Sequence, residues 1–279
     1  MEYSFYIRKY IIFMNKHNNM TFLQHLEAFR WHLIRVILYV FSFSIICFLD
    51  PFKSFIFDKI LFAPIYPDFF TYDFLCSVSN NLGLNKSLCF SESNFSVLNY
   101  HMSGQFTMHL YITLIFGFIL SFPFIIIEVW RFIKPALYSK EVKYSKFFIF
   151  FSSFFFFTGL IFAYYIIAPL SLQFLGSYQV SDSVPNTINL SSFMKTLCSI
   201  CICVGVIFEL PILIYFLNKF NLVSIQTFKK YRKHIIVIIL ILSAIITPPD
   251  LISQILVTLP VLALYEFSLI AVKFINKET

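Results

Sequence analysis

Residues 147–170 read FFIFFSSFFFFTGLIFAYYIIAPL, a run that is rich in phenylalanine and has no charged side chain. At about 1.5 Å per residue, a helix of this length is longer than the hydrocarbon core of a bilayer, which is about 30 Å thick. Five further apolar runs are found, at about 33–50, 108–130, 193–217, 234–247 and 251–272. The pattern predicts an all-α, polytopic membrane protein with six transmembrane helices, of which the fifth and sixth are short.

The composition of the 279-residue chain is that of a membrane protein. Hydrophobic residues make up 59% and charged residues 13%, whereas about 25% of the residues of a soluble domain are charged. The mean hydropathy is +0.80. Phenylalanine is abundant, with 39 residues, and glycine is scarce, with 6. Such a bias is typical of an AT-rich genome, and it favours the mitochondrial inner membrane over the alternatives, a plastid thylakoid or a bacterial inner membrane.

Lysines and arginines are distributed unevenly between the two sides of the predicted membrane domain. With six spans, the cations on one side are Lys53, Lys59, Lys86 and Lys195, and the rest of the 21 fall on the side of both termini. The positive-inside rule therefore places both termini on the cytoplasmic side, or on the equivalent side in an organelle. The same asymmetry accounts for the net charge of +7, so nothing in the charge supports binding to nucleic acid.

The pattern divides the chain into a polar N-terminal extension (1–20), a single membrane domain (21–272) and a C-terminal tail (273–279). Apolar residues at helical spacing predict a short amphipathic helix over 21–33 that lies along the membrane surface. Residues 51–107 are polar and rich in proline, and they predict a long loop outside the bilayer, with or without short helices.

Four short motifs follow one another in register with these spans. They are HLEAFR (25–30), WRFIKPALYSKE (130–141), FELP (208–211), and TPPD (247–250) followed by Ser253 and Gln254. In that order they resemble motifs of the TatC family: H-L-x-E-L-R, W-x-F-x-x-P-[GA]-L-Y-x-x-E, the fourth-span motif and the final outer turn. The resemblance extends over about residues 21–272.

The resemblance implies the glove-like, concave TatC fold and a function. TatC is the signal-peptide receptor and core subunit of the twin-arginine protein translocase, which exports folded proteins across an energy-transducing membrane by using the proton-motive force. The implied partners are twin-arginine signal peptides of folded precursors, TatA-like and TatB-like subunits in an oligomer, and membrane lipid. No catalytic activity, cofactor or metal is implied, and the sequence has no glycine-rich loop that would cradle a phosphate.

A signal-peptide site on the inner side is also implied. Two guanidinium groups are best recognised by carboxylates that accept paired hydrogen bonds. Glu141 occupies the position of the family's recognition glutamate, although Val142 and Lys143 follow it where the family usually has two arginines. Phe132 and Trp130 would pack beside the peptide.

The first motif departs from the family pattern. The family has a glutamate two residues before the arginine, but this chain has Ala28 there, and Glu27 lies three residues before Arg30. Glu27 and Arg30 share a helix face and have the spacing of an i,i+3 ion pair. The sequence leaves open whether Glu27 replaces the missing carboxylate or only pairs with Arg30.

Glu209 lies inside the fourth span, where a carboxylate costs about 2.5–3.5 kcal/mol on insertion scales. Such a group indicates a function, and the resemblance implies an intramembrane polar patch of Glu209, Gln254 and Asp250 that contacts a partner subunit. The alternative is a glutamate that a neighbouring helix satisfies. Asp250 is also placed to cap the sixth helix. The prolines Pro211, Pro248 and Pro249 are predicted to shape the turns.

The cysteines form two groups. Cys198, Cys201 and Cys203 lie in an apolar stretch with no histidine or carboxylate at ligand spacing, which predicts packing residues and no metal site. Cys76 and Cys89 lie in the polar loop and would form a disulfide if that loop faces an oxidising compartment.

The residues alone leave two other functions open. An ion-coupled small-molecule transporter would use Glu209 and Asp250 as proton-relay groups, although the internal repeats common in transporters are not evident. A structural membrane subunit of a respiratory complex would share the composition. An intramembrane enzyme is the weakest alternative, because no Ser/His pair or ligand cluster suggests a site.

Overall fold

A computed structural model describes the chain over residues 22–81, 96–134, 145–178, 181, 187–219, 222–246 and 251–275. The first half of the chain contains one long helix, a series of short helical segments and a second long helix. These elements are α1 (Phe22–Phe48), α2 (Phe52–Ser54), a π-helical segment (Phe55–Leu61), a 3-10 turn (Ala63–Ile65), α3 (Phe70–Asn81), β1 (Ser96–Leu98) and α4 (Gly104–Ile133).

The second half begins with two helices that a π-helical segment joins. The elements are α5 (Ser145–Phe162), the π-helical segment Ala163–Ile167, α6 (Ala168–Ser177), β2 (Thr187–Asn189), α7 (Leu190–Ile207), α8 (Leu210–Lys219), α9 (Ile225–Lys230), α10 (Arg232–Ile246) and α11 (Leu251–Ile275).

Four helical stretches of the described residues are long and apolar enough to cross a membrane. They are Leu23–Phe48, Gly104–Ile133, Phe147–Ser177 and Leu190–Lys219, and they correspond to the first four predicted spans. The fifth predicted span is α10, whose 15 residues make a helix of about 22 Å. The sixth is α11, which contains the shorter apolar stretch Val257–Ile270.

One local prediction differs from the structure. The separate surface helix over 21–33 is wrong, because α1 continues without a break from Phe22 to Phe48 and no proline or glycine interrupts it. The loop predicted at 51–107 contains the short helices α2 and α3 and also the first turn of α4. The sixth helix has 25 residues, and its apolar stretch Val257–Ile270 is short, as predicted.

Contacts between helix ends define one end of the bundle, which we call the inner end in accordance with the charge distribution. His25 at the start of α1 stacks on Phe132 at the end of α4, with ring centroids 4.5 Å apart. Trp130 of α4 lies against Phe148 of α5 and Phe216 of α8, at centroid distances of 4.9 and 5.4 Å. The start of α1 and the ends of α4 and α8 therefore meet the start of α5.

At the opposite, outer end, the loops pack onto the π-helical segment between α5 and α6. Tyr164 donates a hydrogen bond of 2.7 Å to the carbonyl oxygen of Ile60, and Thr71 donates one to the carbonyl oxygen of Tyr165. Strands β1 and β2 pair in parallel, with Val97 opposite Ile188. The long segment between α1 and α4 is thus attached to the spanning helices.

Small residues allow the spanning helices to approach closely. A Cβ atom on Gly117 of α4 would lie 2.0 Å from Ser44 Oγ and 2.8 Å from the carbonyl oxygen of Val40, both in α1. Between α5 and α7, a Cβ atom on Gly159 would lie 2.6 Å from the ring of Phe208. Close backbone contact at small residues is a common way for membrane helices to associate.

Replacement of Gly117 by leucine should separate α1 from α4. The inserted side chain meets the backbone of α1, which cannot rotate away, and overpacking of this kind costs about 1–3 kcal/mol. We expect a lower midpoint of thermal unfolding in detergent for G117L. The control is A263L, which places the same side chain at an exposed position of α11; equal midpoints for the two variants would contradict the close α1–α4 contact.

Candidate functional site

The most deeply buried carboxylate of the inner end belongs to Glu128, one turn before the end of α4. Its side chain is 1% exposed. One oxygen, Oε2, lies 2.6 Å from Nδ1 of His32 and 3.5 Å from Nη1 of Arg35, both from α1. The other oxygen, Oε1, accepts a hydrogen bond of 2.6 Å from Nη1 of Arg131, one turn further along α4. We call these four residues the Glu128 cluster.

Helix spacing explains why the cluster forms. His32 and Arg35 are three residues apart on α1, and Glu128 and Arg131 are three residues apart on α4, so each pair shares a face of its helix. A buried carboxylate is strongly unfavourable unless cations and hydrogen-bond donors surround it. Glu128 has both, and Arg35 and Arg131 still reach solvent because their side chains are 33% and 55% exposed.

An aromatic group covers the cluster towards the inner end. The ring of Phe132 stacks on His25 and meets Phe29 and His32 edge-on, at centroid distances of 5.4 and 6.0 Å. Phe29 remains 46% exposed. We call His25, Phe29 and Phe132 the aromatic platform; it joins the first and second sequence motifs in one surface.

The predicted pair in the first motif does not form. Glu27 and Arg30 are both exposed, and none of the ion pairs among the described residues joins them. Ala28 lies four residues before His32 and is therefore on the face of α1 that packs against α4. Glu27 is turned by about 100° from that face, so it does not reach the position that a carboxylate at residue 28 would occupy.

Trp130 lies inside the protein. Its side chain is 4% exposed, and its ring packs against the rings of Phe148 and Phe216, whose centroids are 4.2 Å apart. This position favours a role in packing α4, α5 and α8 together over direct contact with a peptide. Glu141, the predicted arginine partner, belongs to the connection between α4 and α5 and lies outside the described residues.

Glu209 occupies the break between α7 and α8, as the FELP motif predicts. It is partly buried, and the hydroxyl of Ser152 in α5 donates a hydrogen bond of 2.7 Å to Oε2. Its Oε1 is buried without a hydrogen-bond partner among the described residues. The next turn contains Pro211, which is buried and has no N–H to donate.

The other predicted members of the polar patch are apart from Glu209 or outside the described residues. Gln254 donates a hydrogen bond of 3.4 Å from Nε2 to the carbonyl oxygen of Leu240, which connects α11 to α10. In the described part of the chain, no hydrogen bond joins Gln254 to Glu209. Asp250, Pro248 and Pro249 lie outside the described residues.

The cysteines occupy different environments. Cys198 and Cys201 are free and buried in the core of α7, and Cys203 is free and partly buried. Cys76 of α3 is disulfide-bonded. Its predicted partner, Cys89, lies outside the described residues, and a free Cys89 thiol in unreduced protein would contradict the pairing.

Comparison with known proteins identifies the family. The sequence model of "Sec-independent protein translocase protein (TatC)" matches residues 24–260, which is most of the chain. The chain belongs to the TatC family. Members of this family are protein-translocase components and not enzymes.

Bacterial TatC proteins are similar to the chain over much of its length. TatC of Blattabacterium sp. subsp. Periplaneta americana (strain BPLAN) is 37% identical over 265 residues, which are 95% of this chain and 99% of that protein. TatC of Helicobacter pylori (strain J99) is 39% identical over 158 residues, which are 57% of this chain and 63% of that protein.

Solved TatC structures share the fold. A crystal structure of the twin-arginine translocase receptor TatC in DDM has a TM-score of 0.69 at 29% identity and covers 88% of this chain and 98% of its own. A second crystal structure of that receptor has a TM-score of 0.68 at 28% identity, and the match covers 90% of this chain and 98% of that chain. The chain is therefore an integral membrane protein with the all-α TatC fold.

Sequence reasoning missed Glu128, although a signal was present. It is an acidic residue inside the second predicted span, and the insertion cost that singles out Glu209 applies to Glu128 as well. Arg131 follows it at i+3 spacing, and the cation Arg35 and the hydrogen-bonding side chain of His32 lie close to the start of the first span.

Removal of the Glu128 charge should loosen the inner end of α1. In E128Q the amide keeps the shape of the side chain but leaves Arg35 and Arg131 without an anion, and a hydrogen bond to a charged group contributes about 1.5–3 kcal/mol. We expect a lower midpoint of thermal unfolding in detergent. The control is E27Q, the same chemical change at an exposed residue of α1; equal midpoints for E128Q and E27Q would refute the role of the cluster.

Proposed function

We propose that the chain is the signal-peptide receptor and core subunit of a twin-arginine protein translocase, which exports folded proteins by using the proton-motive force. The observation that carries the proposal is the full-length similarity to solved twin-arginine translocase receptors, at 28–29% identity over about nine tenths of the chain. No observation in the described residues favours a transporter or a respiratory subunit over this function.

The aromatic platform fits the apolar part of a signal peptide. The ring of Phe132 is held in place by contacts with His25 and His32, at centroid distances of 4.5 and 6.0 Å. Phe29 leaves nearly half of its surface exposed at the inner end. A rigid aromatic side chain provides a large contact area at a small cost in conformational entropy, so an apolar peptide segment would bind here without rearrangement of α1 or α4.

Recognition of the two arginines requires carboxylates near this platform. Glu141 is the candidate with the family's motif around it, and Glu27 is an exposed second candidate one turn from Arg30. Glu128 is a different kind of residue, because its oxygens are already occupied by His32 and Arg131. We therefore assign Glu128 a positioning role: it holds α1 against α4, and so fixes the orientation of α1, which bears the exposed Glu27.

The Glu209 region is proposed as a partner contact. A buried carboxylate oxygen without a donor is unfavourable, and Oε1 of Glu209 is in that state among the described residues. A polar group on a TatA-like or TatB-like helix would complete its hydrogen bonds. Gln254 and Asp250 remain candidates for the same surface, and an oligomer of the chain with such subunits follows from the function.

The host membrane is proposed to be energy-transducing, since the proposed export uses the proton-motive force. The relatives described above are bacterial, and one of them is similar over almost the whole chain. This favours the bacterial inner membrane, while the mitochondrial inner membrane suggested by composition and the plastid thylakoid remain alternatives. Fractionation of the source cells followed by antibody detection distinguishes the three.

Charge reversal at Glu141 should abolish binding of a twin-arginine precursor. The experiment places a photo-cross-linker at position 132, in the otherwise wild-type chain and in the E141K variant. We expect the first to form a cross-linked adduct with the precursor and the second to form none, because a lysine repels the guanidinium groups. The matched control is E278K, the same reversal in the C-terminal tail. An undiminished adduct in E141K would remove Glu141 from the site.

Removal of the Glu209 side chain should weaken partner association without affecting peptide binding. We expect E209A to lose co-purification of TatA-like or TatB-like subunits several-fold, because their polar contact is lost. The control is D58A, which removes an exposed carboxylate from the outer segment. Equal co-purification in both variants, or loss of the precursor adduct in E209A, would contradict this assignment.

A further inference from the structure

A second polar site lies at the inner end of the last three helices, away from the aromatic platform. A cavity of about 390 Å³ opens between α9, the start of α10 and the second half of α11. Its lining consists of Lys229, Arg232, Glu266, Leu269, Ile270 and Lys273. The four α11 residues follow i, i+3, i+4 and i+7 spacing, so they form one face of that helix.

Two contacts hold the walls of the cavity together. Arg232 Nη2 of α10 lies 2.6 Å from Glu266 Oε1 of α11. The hydroxyl of Tyr265, which is 1% exposed, donates a hydrogen bond of 3.0 Å to the carbonyl oxygen of Phe228 in α9. The three helices that line the cavity are therefore joined by contacts between their own residues.

The charge of the lining is unbalanced. Three cations surround one carboxylate, and that carboxylate is paired with Arg232. No ion pair to Lys229 or Lys273 is present among the described residues, and both side chains are exposed. The guanidinium of Arg232 has five N–H groups, so it can serve Glu266 and an added anion together.

The lower wall of the cavity is apolar. Leu269 in the lining is buried, with 4% of its surface exposed, while the neighbouring Ile270 is 52% exposed. Phe267, on the neighbouring face of α11, is 60% exposed. A cationic rim directly above an apolar helix surface matches a molecule that has an anionic head and a hydrocarbon tail.

We infer that this cavity binds the headgroup of an anionic phospholipid of the inner leaflet. The phosphate lies between Lys229, Lys273 and Arg232, and an acyl chain follows Ile270 along α11. Basic pockets between transmembrane helices on the cytoplasmic side are suited to such headgroups. A free phosphate would gain nothing from the apolar wall. The inference does not depend on the receptor function, since lipid binding is measured without a signal peptide.

The test compares lipid binding by two double variants of the full chain in detergent. Native mass spectrometry with added phosphatidylglycerol should show bound lipid on the wild type, and phosphatidylcholine should be retained much more weakly. In K229Q/K273Q we expect the apparent Kd for phosphatidylglycerol to rise about 30-fold, since each lysine near an anionic lipid contributes roughly fivefold. In the control K230Q/K233Q, which removes two exposed lysines of the same segment outside the lining, the Kd should stay within about twofold.

Three results would overturn the inference. Equal losses in the two double variants would mean that the attraction is a general surface charge effect. An unchanged Kd in K229Q/K273Q would mean that lipid does not occupy the cavity. Displacement of phosphatidylglycerol by an equal concentration of glycerol phosphate would mean that the cavity binds a free anion and that the apolar wall has no part.

Discussion

A carboxylate buried at the inner end of a membrane bundle must be neutralised by its neighbours, and two of the three neighbours of Glu128 come from a different helix. His32 and Arg35 of α1 approach one oxygen, and Arg131 of α4 binds the other. Since an unpaired buried charge is far more costly than a paired one, the cluster determines how the inner ends of α1 and α4 meet. The close contact at Gly117 determines the same pairing deeper in the bundle.

This constraint brings together two motifs that are about a hundred residues apart. Once α1 is fixed against α4, His25 lies on Phe132 and the aromatic platform forms between them. The position of Ala28, where the family has a glutamate, then faces α4 and not the surface. The carboxylate that this chain has on that side is Glu128, so the inner end retains an acidic residue with a structural role.

Hydropathy alone predicts most of the fold, because the bilayer demands long apolar helices. The first four spans agree with the structure to within a few residues, except at the start of α1 and at the end of the third span, where the helix continues to Ser177. The start of α1 differs because apolar residues at helical spacing over 21–33 suggest a separate surface helix, whereas no proline or glycine breaks α1. The sequence leaves open whether the segment between α1 and α4 contains helices, since that segment is held by contacts with Tyr164 and Tyr165.

The site is only partly visible in the sequence. The structure joins Phe132 to the first motif through His25, and the motifs alone do not show that Trp130 is buried against Phe148 and Phe216. Glu128 lies in an apolar run, and two of its three partners, His32 and Arg35, are more than ninety positions away in the chain. The contacts of Glu128 with His32 and Arg35 depend on how α1 packs against α4, and the spacing of residues around Glu128 does not predict them.

The most direct test of the receptor function is the affinity of the purified chain for a twin-arginine signal peptide compared with the same peptide carrying two lysines. Guanidinium groups bind carboxylates in a bidentate way that an ammonium cannot reproduce. Titration of labelled peptides against the chain in lipid nanodiscs should give a Kd at least about tenfold lower for the arginine peptide. Equal affinities, or no binding of either peptide by a correctly folded chain, would contradict the receptor function.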